Sequence, residues 1–430
     1  MTRHYGAILT VMDHGATARA GMSPHSLPRI KTAKTGKPSP SHLRHKASRM
    51  RIAQIAPLFE SVPPKRYGGT ERVVHWLTEE LVGMGHDVTL FATGDSTTSA
   101  ALVPVRAQAA RFVPNFERNN APYARMLELV RRRTHDFDVL HFHIDFHPFA
   151  LFTRQPTPFV TTLHGRMDQD WVAQIYDLFP EVPLVSVSDS QRRPMPQLNW
   201  AATVLHGMPP ALLTPLSAGP RDYVAFLGRI SPEKGIESAI RIAAAAGATL
   251  KVAAKIGEED AQYYRDVVAP LLRGGQVDFI GEIDDTRKPA FLSGARALLF
   301  PIDWPEPFGL VMIEAMACGC PVIAFRRGSV PEVVEDGLTG FVVDSVAEAV
   351  SACARAGMLD RAAVRRRFEQ RWSSGRMAGD YLAVYQRLIG SKKGQGAALD
   401  PSCAQSAPSA PNTSSAPSAR RGSGPLDPNT

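Results

Sequence analysis

The chain has 430 residues, 44% of them hydrophobic and 21% charged, a make-up that suits two or three globular domains with sizeable cores. No apolar run approaches the roughly 18 residues a membrane-spanning helix needs. The four cysteines, Cys318, Cys320, Cys353 and Cys403, form no CxxC pair and read as reduced structural thiols in a cytoplasmic protein. The net charge of +8 is local, because residues 1–49 carry nine Lys and Arg against one Asp. The rest is balanced, and no nucleic-acid-binding face is expected on the folded body.

Residues 1–49 show neither a helical nor a strand period, and they lack the apolar core of a secretory signal. They are expected to be a disordered basic extension, with Met50 a candidate native start. Ordered sequence begins at Met50-Arg-Ile-Ala-Gln-Ile-Ala56, a buried strand. A loop over 57–69 leads to an amphipathic helix from Thr70, its expected N-cap, to about Met84. Further strands are expected at 87–91, 138–142, 158–163, 182–186 and 202–205, with helix-compatible segments between them. That alternation over 50–212 is the signature of a parallel sheet with crossover helices.

A Pro-rich stretch, 208–220, reads as a linker, after which the rhythm restarts. Strands are expected at 223–227, 249–253, 277–280, 297–300 and 321–325, and helices at 235–246 and 258–272, giving a second α/β domain over 213–372. Helical pattern returns at 359–372 and 376–388. The tail from 391 onward is Ser, Pro, Ala and Gly and is expected to be disordered. Two such Rossmann-like domains in tandem place their ligand in a crevice beyond the carboxyl ends of the strands.

The richest segment is Glu306-Pro-Phe-Gly-Leu-Val-Met-Ile-Glu314, which sets one carboxylate in a loop and another on a helix just begun. A helix start offers free N–H groups and a positive dipole end to sugar oxygens or phosphate. Upstream, Gly228-Arg-Ile-Ser-Pro-Glu-Lys-Gly235 brings Arg229 and Lys234 into a turn, where two cations can clamp a diphosphate and aid its departure. Gly68 and Gly69, next to Tyr67, permit close backbone approach at the first helix start. This is no P-loop, since the Lys-Ser/Thr is missing, and there is no GxGxxG to suggest a dinucleotide oxidoreductase. His164 stands past a strand end in Thr161-Thr-Leu-His-Gly165. In His141-Phe-His-Ile-Asp-Phe-His147, alternation could turn His141, His143 and Asp145 toward a cation. The preferred reading places His143 or Asp145, along with Tyr67, on the acceptor side, with no metal. Glu282 and Ile283, at another strand end, have backbone groups suited to a base edge. Gly328-Ser-Val-Pro-Glu-Val333 reads as a helix start.

Over about 50–390 the chain resembles a family-4 retaining glycosyltransferase of the GT-B fold. The resemblance is strongest at 228–235 and 306–321, and weaker at 67–72 and 164–165. It implies Arg229 and Lys234 on the donor diphosphate, Glu306 by the donor sugar hydroxyls, and the backbone of Phe308, Gly309 and Leu310 nearby. Glu314 would bind the ribose, His164 would contact the sugar near the reacting carbon, and Gly69 would approach the phosphate. The resemblance also implies that the last helix, over 373–390, crosses back onto the N-terminal domain. Where many relatives have two glycines, this chain has Gly328-Ser329. The segments 67–74 and 326–332 resemble bacterial enzymes, some of which glucosylate small molecules such as pterins.

The expectation is therefore a hexosyltransferase taking a nucleoside diphosphate sugar, a UDP-hexose, as co-substrate, with no cofactor. Its acceptor is a small molecule, a glycan or a lipid, and a lipid acceptor would bring peripheral membrane contact. A nucleotide-sugar epimerase of the same fold and a non-catalytic nucleotide-sugar-binding protein stand as alternatives.

Overall fold

The computed structural model describes residues 49–397 apart from 66–67, 113–119, 218, 220 and 275, and without the side chains of 112 and 392–397. Tyr67, Cys403 and residues 1–48 and 398–430 lie outside the described residues, whereas 391–397, expected to open the disordered tail, instead continue the helix Ser374–Ala397.

The first sheet has seven parallel strands, β1 (Arg51–Ile55), β2 (Asp87–Thr93), β3 (Ala101–Arg106), β4 (Val139–Phe142), β5 (Phe159–Thr162), β6 (Leu184–Ser186) and β7 (Trp200–Thr203), in the spatial order 3-2-1-4-5-6-7. The second has six, β8 (Tyr223–Ile230), β9 (Thr249–Ile256), β10 (Val277–Gly281), β11 (Ala295–Phe300), β12 (Val322–Phe325) and β13 (Gly340–Val343), in the order 10-9-8-11-12-13. Both sheets are parallel throughout. In each, the direction of winding reverses beside the first strand, between β1 and β4 and between β8 and β11, which is where ligands of such sheets bind. Their central strands read as near-continuous apolar runs because helices cover both faces. Exceptions are Gln54 in β1, His141 in β4 and Thr161 and Thr162 in β5, polar residues with no exposure.

The sequence pattern missed two strands. β3 carries Pro104 and lies at the sheet edge, where a residue without an N–H is tolerated. β13 is only four residues long and follows a turn. The first helix is Gly69–Gly83 with Gly68 as N-cap and no side-chain cap bond. Thr70 is already inside the helix, so it is not the expected cap. The segment expected to be one helix over 258–272 is broken by a π turn at Tyr264–Val268, just ahead of Pro270, whose missing N–H disturbs the α register.

The closing helix, Ser374–Ala397, packs against Gly69–Gly83 and β4 of the first sheet. Met208 and the residues around Ser373 tie its start, with Met208 N donating to Trp372 O at 2.9 Å and Ser374 N to Met208 O at 3.0 Å. Tyr381 and Tyr385 on this helix are fully buried. Cys318, Cys320 and Cys353 are free and buried. Among the described residues no helix is long and apolar enough to cross a membrane.

Candidate active site

A cleft opens where the carboxyl ends of the two sheets face each other. Its walls include His164 after β5, Gly68 and Gly69 at the first helix start, Arg229 and Lys234 at the end of β8, and Glu282 and Ile283 after β10. Glu306, Phe308, Gly309, Leu310 and Glu314 follow β11. Twelve residues singled out from sequence on separate loops thus share one space.

The site helix, Leu310–Ala317, is apolar except for Glu314, and Met312–Ala317 are buried, Glu314 among them. Gly309 starts it at φ 79°, a left-handed conformation, and a Cβ there would come 2.8 Å from Met312 Cε. Only glycine makes this turn without strain. Gly69 of the opposite wall is close enough that a Cβ on it would touch Leu310 Cδ1 at 3.8 Å.

The carboxylates of the C-terminal wall are held by cations. Lys234 Nζ donates to Glu306 Oε2 at 2.6 Å, and Trp304 Nε1 donates to the same oxygen at 2.8 Å. The Lys234 ammonium lies 4.8 Å from the centre of the Trp304 ring. Arg229 donates to Glu233 and Glu259, each at 2.8 Å, and its Nε is 3.4 Å from Asp260. Lys288 Nζ donates to Glu314 Oε1 at 2.7 Å and lies 3.1 Å from Asp285. Asp285 in turn pairs with Arg72 of the first helix, an ion pair across the cleft. Burial would raise the Asp285 carboxyl, but Lys288 and Arg72 outweigh it and hold it below the usual range. Glu332 forms a second tie across, accepting from the backbone N–H groups of Asp189 and Ser190 at 2.8 and 2.7 Å.

Gly328-Ser329 turns out to brace the Glu306 loop. Ser329 is fully buried, its N–H donates to Glu306 O at 2.9 Å and its Oγ to Phe308 O at 2.9 Å. A Cβ on Gly328 would lie 2.3 Å from Glu306 O, so the loop sits directly on that glycine.

The N-terminal wall is neutral. Burial pushes the His164 imidazole down to about 3 and holds His141, His143 and His206 well below the usual histidine range. His164 stacks on His206, and His206 meets the edge of Phe308 across the cleft. His143 does not line the cleft as an acceptor-side group would. It is buried behind His164, with Nδ1 3.0 Å from His164 Nε2. His141 in β4 and His143 just past its end do lie side by side, with ring centres 4.0 Å apart, yet every ring nitrogen of the pair is taken by a hydrogen bond rather than turned to a common cation. Asp145 has left the strand at φ 50° and is not among the cleft residues. Sequence reasoning missed Arg72, Lys255, Lys288, His206 and Trp304. Of these, Trp304 alone had a local signal, two residues before Glu306.

Two parallel α/β halves, with a cleft between their carboxyl edges lined by cations, paired glutamates and a helix start, define a GT-B glycosyltransferase using a nucleotide-sugar donor. The model of glycosyl transferases group 1 matches residues 215–371 and that of Glycosyltransferase Family 4 matches residues 67–204, and the chain belongs to this family. It is 29% identical over 396 residues to a glycogen synthase of Mycobacterium tuberculosis, covering 77% of this chain and 94% of that one. AviGT4, a glycosyltransferase involved in avilamycin A biosynthesis, superposes with a TM-score of 0.62 at 26% identity, over 79% of this chain and 98% of that one. HepE of Anabaena, solved in complex with UDP and glucose, shares the fold at a TM-score of 0.59 and 16% identity, over 80% of this chain and all of that one.

Proposed function

We propose that the protein is a retaining hexosyltransferase that takes its sugar from UDP-hexose. The diphosphate lies against Arg229 and Lys234, with the amides of Gly309 and Leu310 at the site-helix start facing the same charge. The side chain of Glu259 is 63% exposed, so an entering diphosphate displaces it from Arg229 at little cost. Glu306, held by Lys234 and Trp304, accepts from hydroxyls of the donor sugar. Lys288 occupies Oε1 of Glu314 and leaves Oε2 for a ribose hydroxyl, while the backbone at Glu282 and Ile283 meets the base edge. His164 contacts the sugar from the opposite wall.

In the reaction the acceptor hydroxyl attacks the anomeric carbon from the face the diphosphate leaves. The bond from that carbon to the phosphate oxygen breaks, the new glycosidic bond forms, and the hydroxyl proton passes to the departing phosphate oxygen. Arg229 and Lys234 stabilise the charge that develops there, and the contacts Arg72–Asp285 and Glu332–Asp189 hold the walls together so that the reactants stay aligned. Acceptor choice is assigned to loops of the N-terminal half, at 57–69 and 112–122, parts of which lie outside the described residues.

The observation that carries this reading is the contact of Lys234 with Glu306 in a cleft that also holds Arg229 and Glu314. Thermal-shift screening against UDP-, GDP- and ADP-hexoses tests the donor, and the UDP-sugar is expected to give the largest rise. A larger rise with GDP or ADP overturns the choice of base. NMR of the product anomer then tests retention, and an inverted product overturns the mechanism.

A further inference from the structure

A chain of buried hydrogen bonds runs from the cleft to the closing helix. His164 Nε2 meets His143 Nδ1 at 3.0 Å, and His143 Nε2 meets Gln54 Oε1 at 2.9 Å. Gln54 Nε2 donates to the Tyr385 hydroxyl at 3.0 Å. Tyr385 lies 2.7 Å from His141 Nδ1, His141 Nε2 is 2.7 Å from Thr162 Oγ1, and Thr162 reaches the Tyr381 hydroxyl at 3.0 Å. Gln54, His141, His143, Thr162, Tyr381 and Tyr385 are all buried.

The direction of the bonds between Gln54 and the cleft follows from the chemistry of the groups. A carbonyl oxygen only accepts, so Gln54 Oε1 requires the proton of His143 on Nε2. Burial keeps His143 neutral, so its Nδ1 carries the lone pair and must receive a proton from His164 Nε2. His164 is neutral as well, which leaves its Nδ1 bare. That nitrogen has no hydrogen-bond partner among the described residues. On the far side, the Tyr385 hydroxyl accepts from Gln54 and also bonds His141 Nδ1, and the contacts continue from His141 Nε2 through Thr162 to the Tyr381 hydroxyl.

We propose that Gln54, His143 and Tyr385 are positioning residues, a relay anchored by the closing helix that fixes His164 as its Nε2–H tautomer and so presents Nδ1 as an acceptor for a hydroxyl of the donor sugar. Second groups that set a histidine's tautomer act in this way wherever the ring has one defined task. An apolar core of the same shape would cost less than six buried polar groups, and a network in which each buried nitrogen and oxygen has a partner is the arrangement in which burying them specifies one state. The relay also gives the closing helix a part in the chemistry, since Tyr385 reaches Gln54 only when that helix lies across the first sheet.

The inference rests on His164 contacting the donor sugar, and the test separates the two. NMR of the full chain with 15N-labelled histidine, with the His164 signal identified by its loss in His164→Ala, reads the tautomer without any substrate. The expected result is one tautomer in the wild type, protonated on Nε2, and a mixture in Gln54→Leu and in Tyr385→Phe. With the mixture, kcat should fall about tenfold in Gln54→Leu while the donor KM changes less than twofold. A His164 tautomer that stays single and unchanged in both variants overturns the relay, as does a mixed tautomer with unaltered kcat. Full transfer activity in His164→Ala would remove the sugar contact itself and leave the tautomer readout intact. Tyr385→Phe keeps the test open if Gln54→Leu does not fold, because it removes a single hydroxyl.

Discussion

The two walls of the cleft handle polar groups in opposite ways. The C-terminal wall sets charge against charge, Lys234 on Glu306, Lys288 on Glu314 and Arg229 on Glu233 and Glu259. The N-terminal wall, apart from Arg72 in its pair with Asp285, presents histidines kept neutral by burial, with His141 and His143 satisfied by hydrogen bonds. A wall of paired ions can exchange a carboxylate for a diphosphate at little net cost in charge. A neutral wall can hold a hydroxyl without competing for that diphosphate. In the proposed function, the charged half of the donor binds to one side and the sugar is oriented by the other.

The largest effect expected from this contrast is acid sensitivity of the neutral wall. The folded-state pKa values of His141, His143, His164 and His206 lie below the unfolded value near 6.5, so below that pH the unfolded chain binds protons that the folded one refuses. Stability is therefore fully present above about pH 6.5 and lost as pH falls below it. Glu60 and Glu71 oppose this, because burial lifts both carboxyls to about 7 and they take up protons in the folded state first. The four histidines, joined by His75 and His86, which burial also lowers, outnumber the two glutamates with Asp145 and Asp260, which burial raises, and urea midpoints should fall between pH 7 and pH 5. A flat or rising profile would break the contrast.

On the charged wall, Lys234→Ala and Glu306→Ala should each lower transfer by tenfold or more, about 1.4 kcal/mol or above in barrier. Near wild-type rates in both would remove the ion pair from the chemistry. Lys288→Met leaves Glu314 without its cation and should raise the donor KM about fivefold, roughly 1 kcal/mol, with kcat little changed; a fall in kcat at constant KM would place Lys288 elsewhere in the reaction. The smallest effect is expected at Glu259, whose exposed contact with Arg229 must open for the donor. Glu259→Gln should tighten donor binding two- to threefold, in keeping with about 0.5 kcal/mol for an exposed ion pair, as read by titration calorimetry, and weaker binding would mean that Glu259 aids the donor.

The same contrast governs how much of the site was legible in the sequence. Groups on the charged wall lie within single loops, 228–235 and 306–314, so spacing along the chain reports their geometry. Gly309 and the apolar run behind it announce the helix start, and Glu314 is placed by helical periodicity alone. The neutral wall is assembled from β1, β4, β5 and the closing helix, with partners up to 331 residues apart. His143 was therefore assigned to the acceptor side when its neighbours were unknown, and Lys288 and Arg72 went unnoticed because their partners, Glu314 and Asp285, are remote in sequence. Ser329, noted only as a departure from a glycine pair, proved to be a brace for the Glu306 loop.

The sequence by itself determined that two parallel α/β units follow one another, because strand and helix periods are local and apolar runs mark buried strands. It also singled out loops that line the cleft, since a turn and a helix start are specified by a few adjacent residues. Only the tertiary structure decided which cation meets which carboxylate, that Arg72 and Asp285 join across the cleft, and that tyrosines of the last helix reach behind His164. Those contacts depend on strand order and on the packing of the closing helix, which no interval along the chain encodes.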